Sequence, residues 1–167
     1  MESIIEVRHE STEVNADFER FTGNLEGSLG RFDDSLYEGI ETAPDRVRER
    51  LEKAAGAEGL MLFCIRDHGR LLNIVGAPRK AKQYLIGNPL IAVTMTRHDI
   101  RAGLYAPLRI LVYEVKDGST RVEYDLPSSL FGQFNEPEVT AVARSLDMKL
   151  ANVIKKAEAA ASAALVH

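Results

Sequence analysis

The stretch LRILVYEVKDGSTRVEYD, Leu108 to Asp125, constrains the fold more than any other part of the chain. Leu108, Ile110 and Val112 alternate with Leu111, Tyr113 and Val115, the period of an extended strand. Asp117-Gly118 is a strong two-residue hairpin signal, and Thr120 to Asp125 reads as the antiparallel return. Because both sides of the first strand are apolar, it reads as a central strand, with helices on one face and another surface on the other. A chain holding this hairpin is built around an antiparallel sheet.

The remaining segments supply partners for it. Residues 3–12, SIIEVRHEST, read as a first strand with Ile5, Val7 and His9 on one face. Phe18, Phe21, Leu25, Leu29 and Phe32 recur at helical spacing, which predicts a helix over about 16–31 capped by Asn15. Gly23, Gly27 and Gly30 weaken that helix, and two of them are expected to allow close packing. Pro44 opens a short helix to Ala55, with Val47 and Leu51 as its apolar contacts. Residues 59–67, GLMLFCIRD, read as a central strand, Asp67-His68-Gly69 as a turn, and 70–76 as a second strand or an extended return. Asn88 and Pro89 fit the cap and first turn of a helix over 88–99, with Ile91, Met95 and His98 on one stripe. NEPE at 135–138 places Asn135 at a cap with Glu138 three residues on, opening a helix over about 136–162.

These elements predict an α+β fold, a mainly antiparallel sheet with helices packed on one face. One domain spans 1–167, with an inserted helical segment at about 33–56.

Composition bounds the function. Among 167 residues, 21 are basic and 25 acidic, a net charge of −4 that argues against a nucleic-acid-binding face. The single cysteine, Cys64, excludes an internal disulfide and reads as a core thiol. The opening residues are too charged for a secretory signal and no apolar run is long enough to span a membrane, so the cytoplasm is the expected location. No phosphate-binding loop, dinucleotide fingerprint or HExxH motif occurs. The histidines, His9, His68, His98 and His167, include no close pair, and no metal site is expected. The sequence identifies no cofactor.

Four polar residues stand at the ends of apolar elements, where a scaffold fixes binding groups. His68 follows a central strand, and histidine is a side chain suited to shuttling a proton. Asn88 caps a helix whose start can meet an anion or a carbonyl oxygen. Arg109 opens a strand and can pair with a carboxylate. Asp125 closes the hairpin. Gly87 and Pro89 shape the turn around Asn88. If His68, Asn88, Arg109 and Asp125 form one small-ligand site, His68 must lie near Asn88 or Asp125. Arg79, Lys80 and Lys82 form a small basic cluster that reads as a solvated face.

GLMLFCIRDHG, YLIGNPLIAVTM, LYAPLRILVYEVKDG and VEYDLPSSLF, in this order and spacing, resemble the DUF302 family, a set of small proteins of uncharacterised function. The similarity covers most of residues 5–155. His68 falls on a histidine that the family carries after its central strand, with HGRLL in place of a small-residue run. Gly87, Asn88 and Pro89 match the family's GNP, and Ala106 to Glu114 its proline-led strand. Asp125 and Pro127 correspond to its ending. The resemblance implies a β–α–β(4)–α fold and a homodimer, and no established reaction. The expected function is therefore small-molecule binding by a homodimer. The alternatives are a structural or protein-interaction module, or an enzyme with His68 as general base.

Overall fold

A computed structural model describes Glu2 and residues 4–163. Six strands form one sheet: β1 His9–Val14, β2 Gly30–Arg31, β3 Met61–Asp67, β4 Ala81–Gly87, β5 Leu108–Glu114 and β6 Thr120–Asp125. Their spatial order is β1-β6-β5-β4-β3-β2. Every neighbouring pair is antiparallel except β2 with β3. The hairpin that dominates the sequence is β5–β6, in register from Ile110 opposite Tyr124 to Glu114 opposite Thr120. Gly118 takes the left-handed φ of 88° that its turn requires.

Six α-helices lie among the described residues: α1 Phe18–Ser28, α2 Pro44–Ala54, α3 His68–Leu71, α4 Pro89–Thr96, α5 Pro127–Phe131 and α6 Pro137–Ala163. Helices α1 and α6 cover one sheet face. Phe18, Phe21 and Leu25 of α1 join Val139, Leu146, Leu150 and Val153 of α6 over Tyr84, Ile86, Ile110, Val112 and Val122. The strand residues in that set are the alternate ones that period two assigns to a single side. The expected α+β fold is the observed one.

Among the described residues, α2 covers one corner of the opposite face. Val47 and Leu51 of α2 pack on Met61 of β3, with Phe32, Leu36 and Phe63 beside them. Elsewhere that face carries half-buried Cys64, Leu85, Leu111 and Tyr113.

Several local expectations are corrected. Residues 70–76 are not a strand: α3 and a 3-10 turn at Leu72–Val75 take their place, and β4 is the return. Asp67 starts the turn by accepting from the Arg70 N–H at 2.7 Å. Gly69 then packs on the Arg79 carbonyl, where a Cβ would stand 2.0 Å from the oxygen. Leu71, Ile74 and Val75 are left exposed. The first strand runs His9–Val14, so residues 4–8 precede it rather than belong to it.

Asp17 caps α1 in place of Asn15, and the helix ends at Ser28 so that Gly30 can pair with β3. Of the three glycines, only Gly30 sits in close packing, with a Cβ position 1.9 Å from the Ala54 carbonyl oxygen. Asn135 does not cap α6. It adopts a left-handed φ of 54°, and the Thr140 N–H donates to the Glu136 carbonyl instead. The alanine-rich end of α6 packs through Ala157 and Ala161, and Ser162 Oγ donates to the Asn15 carbonyl at 3.1 Å. The remainder of that tail lies outside the described residues.

Candidate functional site

Strand register decides which predicted site residues can meet. In the β3–β4 ladder Met61 stands opposite Gly87, and Asp67 opposite Lys82. Asn88 and His68 therefore leave the ladder at opposite ends, about 20 Å apart at the usual rise per residue. Asp125 lies three strands from β3 and belongs to the Gly87 end. The structure thus separates His68 from Asn88 and from Asp125, and the four polar residues fall into three places.

The first place is a pocket of about 220 Å³ at the Gly87 end of the sheet. Gly87, Asn88 and Pro89 form one wall, and Ile91, Ala92 and Met95 of α4 form a second. Ala106, Pro107 and Leu108 close a third side, with a cis bond between Ala106 and Pro107. Phe131 and Leu146 supply the buried floor, and Phe63 and Tyr37 the outer side. The lining is mainly apolar, with Asn88 and the Tyr37 hydroxyl as its polar side-chain groups.

Local sequence explains this shape. Asn88 Oδ1 accepts from the Leu90 N–H at 2.7 Å, capping α4 over the proline that starts it. Its Nδ2 donates to the Gly59 carbonyl at 2.6 Å, tying the turn to the entry of β3. Phe63 marks a register shift between Leu62 and Cys64. Its ring stacks on Phe32 at 4.2 Å, and Phe32 meets Tyr37 edge-on at 5.2 Å. This aromatic packing brings Tyr37 to the pocket.

The second place is a shallow groove of about 530 Å³ on the uncovered sheet face. His68 lines it with Arg79, Lys80, Gln83, Tyr113 and Glu123. Lys80 is paired with Glu114 at 2.9 Å. Asp67 and Gly69 set the backbone that presents the exposed His68 ring.

The third place is a polar row on the same face. Asp125 Oδ1 lies 2.9 Å from His9 Nδ1, and His9 Nε2 lies 3.5 Å from Glu123. Tyr113 and Ser11 both donate to Glu123 Oε1, at 2.7 and 3.2 Å. The hydrogen bond to Asp125 holds the His9 imidazole above its ordinary pKa, with Glu123 adding to it. The Tyr113 hydroxyl holds Glu123 below the usual carboxylate range, and Glu123 in turn raises the Tyr113 phenol. Arg109, one residue before Ile110, projects exposed on this face and joins no ion pair among the described residues.

Sequence reasoning missed His9, Tyr37 and Phe63 as site neighbours. Period two placed His9 on a strand face, but only pairing of β1 with β6 sets it opposite Asp125. Tyr37 carried no signal at all, since its place depends on aromatic packing with Phe32 and Phe63.

The sequence profile described as "Domain of unknown function DUF302" matches residues 39–157. The chain belongs to the DUF302 family. Among solved structures, this DUF302 chain is similar to the "uncharacterized conserved protein DUF302 from Bacillus stearothermophilus". The two share 17% identity, with 89% of this chain and 97% of that chain covered, at a TM-score of 0.65. At that identity the likeness shows the fold alone. No curated protein matches. Among the described residues of this DUF302 chain, no helix is long and apolar enough to cross a membrane.

Proposed function

We propose that the protein binds a small, mainly apolar molecule in the pocket walled by Gly87, Asn88 and Pro89. The supporting observation is the cavity of about 220 Å³ lined by Met95, Leu108, Phe131 and Leu146, with Asn88 at its edge. An apolar cavity of about 150 Å³ accepts benzene and drug-sized ligands need about 300 Å³ or more, so this one suits about eight to twelve non-hydrogen atoms. Asn88 keeps one amide hydrogen and one lone pair beyond its two structural bonds, enough to orient a hydroxyl or carbonyl group on such a ligand. Gly87 and Pro89 shape the wall.

The same reading has the protein act as a homodimer through the uncovered sheet face. Half-buried Leu85, Leu111 and Tyr113 lie there beside Arg109, Glu123 and Asp125, a mixture of apolar area and both charge signs that suits pairing with a second copy. Arg109 and Asp125 are then interface residues rather than ligand contacts. An enzyme using His68 as general base has as its support only the groove shared with Tyr113 and Glu123.

A fragment screen by ligand-observed NMR tests the pocket. Small aromatic and branched aliphatic fragments are expected to bind the wild type and to lose binding in Ala92→Phe, which fills the cavity from α4. Binding unchanged in that variant refutes the pocket. Light scattering with Leu111→Lys tests the interface: a wild-type dimer that dissociates supports it, and a wild-type monomer sinks it.

A further inference from the structure

Asn135 turns the chain in a left-handed conformation just before α6, and Glu136 and Glu138 flank Pro137 at the helix start. His98 arrives from another element, two residues beyond the end of α4. Two contacts hold its segment there. Asp99 accepts from the Arg101 side chain at 2.6 and 3.0 Å, and the Arg101 guanidinium lies 5.0 Å from the Phe134 ring centroid. As a result one ring nitrogen of His98 and one carboxylate oxygen from each of Glu136 and Glu138 all lie within 4.8 Å of one another.

We infer that His98, Glu136 and Glu138 form a binding site for a divalent first-row transition-metal ion. The glutamates alone would be explained by the positive end of the α6 dipole, which favours carboxylates. The imidazole is not so explained, because it comes from a separate element beyond the end of α4. It also forms no ion pair with either glutamate among the described residues, although it faces both. Three donors from two elements, all within 4.8 Å of one another, are spaced like ligands around an ion. Bonds of about 2.0–2.2 Å to each donor bridge atoms about 3–4 Å apart, which modest side-chain rotation reaches.

One imidazole with two carboxylates suits Zn²⁺, Co²⁺ or Mn²⁺ better than Mg²⁺ or Ca²⁺, which prefer all-oxygen shells. Water completes the coordination, since His98 and Glu138 are exposed. Asp99 is withheld from the ion by Arg101. The ion joins the end of α4 to the start of α6, the helices that carry Met95 and Leu146 of the pocket, but the site stands independently of the proposed ligand.

Calorimetric titration of chelator-treated protein with ZnCl₂ tests this. One saturable equivalent is expected, weakened more than about tenfold in His98→Ala and in Glu138→Gln and unchanged in His68→Ala and His9→Ala. Absorption bands of Co²⁺ bound to the wild type provide a second readout, lost in His98→Gln. Circular dichroism of the metal-free variants confirms that they fold. Absence of saturable binding, or binding that survives His98→Ala, overturns the site and leaves the glutamates as helix-end charges.

Discussion

Replacing Asn88 with alanine removes two hydrogen bonds from one side chain. The cap on the Leu90 N–H at 2.7 Å contributes about 1 kcal/mol. The bond to the Gly59 carbonyl at 2.6 Å contributes about 1 kcal/mol more, since both groups are half-buried and the carbonyl is left without that donor. The expected loss is about 2 kcal/mol, a fall in Tm of about 4–8 °C for a domain of this size. Asn88→Ser separates the two contributions, because its hydroxyl can still cap α4 but cannot reach Gly59; about half the loss should return. Asn88→Asp keeps the cap yet sets a carboxylate against the Gly59 oxygen, so it should fall below the serine variant. Urea denaturation with a common m-value gives the comparison directly. Alanine and serine variants both within about 0.5 kcal/mol of wild type would show that the turn does not depend on Asn88 and would refute the reasoning.

Gly30→Ala should cost at least the roughly 1–3 kcal/mol of core overpacking, because its Cβ would meet the Ala54 carbonyl oxygen at 1.9 Å. Gly23→Ala, with open space around its Cβ, should stabilise α1 by up to about 1 kcal/mol; equal denaturation midpoints for the two variants would contradict this packing. Because the folded-state pKa of His9 is raised above 6.5, its pairing with Asp125 stabilises the fold fully below that pH and ceases to do so as pH rises through the folded value. NMR titration should find the His9 midpoint above 6.5 in the wild type and lower in Asp125→Asn, and the stability gap between the two proteins should narrow from about pH 6 to about pH 8; an unmoved midpoint would dissolve the linkage.

Sequence patterning located the hairpin, the sheet and both covering helices because period two and period 3.6 are written directly in Leu108–Asp125, Phe18–Leu25 and Val139–Val153. It misplaced residues 70–76 because a short apolar run carries no period of its own. Only tertiary contact shows that Gly69 nests on Arg79 and forces a helical turn there. The site was partly legible for the same reason. Asn88 and Pro89 declare a helix start locally, and that start does wall the pocket. The grouping of His68 with Asn88 needed the register of β3 on β4, which places the end of one strand beside the beginning of the next. Likewise, nothing local could reveal that β1 borders β6, and so that His9 meets Asp125.

Gly87 offers a way to separate the fold from the pocket at one residue. Its backbone does not occupy the left-handed region that demands glycine. A Cβ added there would meet Pro107 at 3.5 Å and the Phe63 ring at 3.6 Å, ordinary contact distances. Nothing in packing or conformation therefore requires glycine, and Gly87→Ala should leave stability within about 0.5 kcal/mol of wild type. The added methyl would nevertheless enter the cavity between Phe63 and Pro107, two of its lining residues. Fragments that fill the wild-type pocket should then bind the variant more weakly while its Tm stays in place. A variant that is destabilised by 2 kcal/mol or more would return Gly87 to a purely structural part, and one that binds fragments as the wild type does would move the ligand away from this wall.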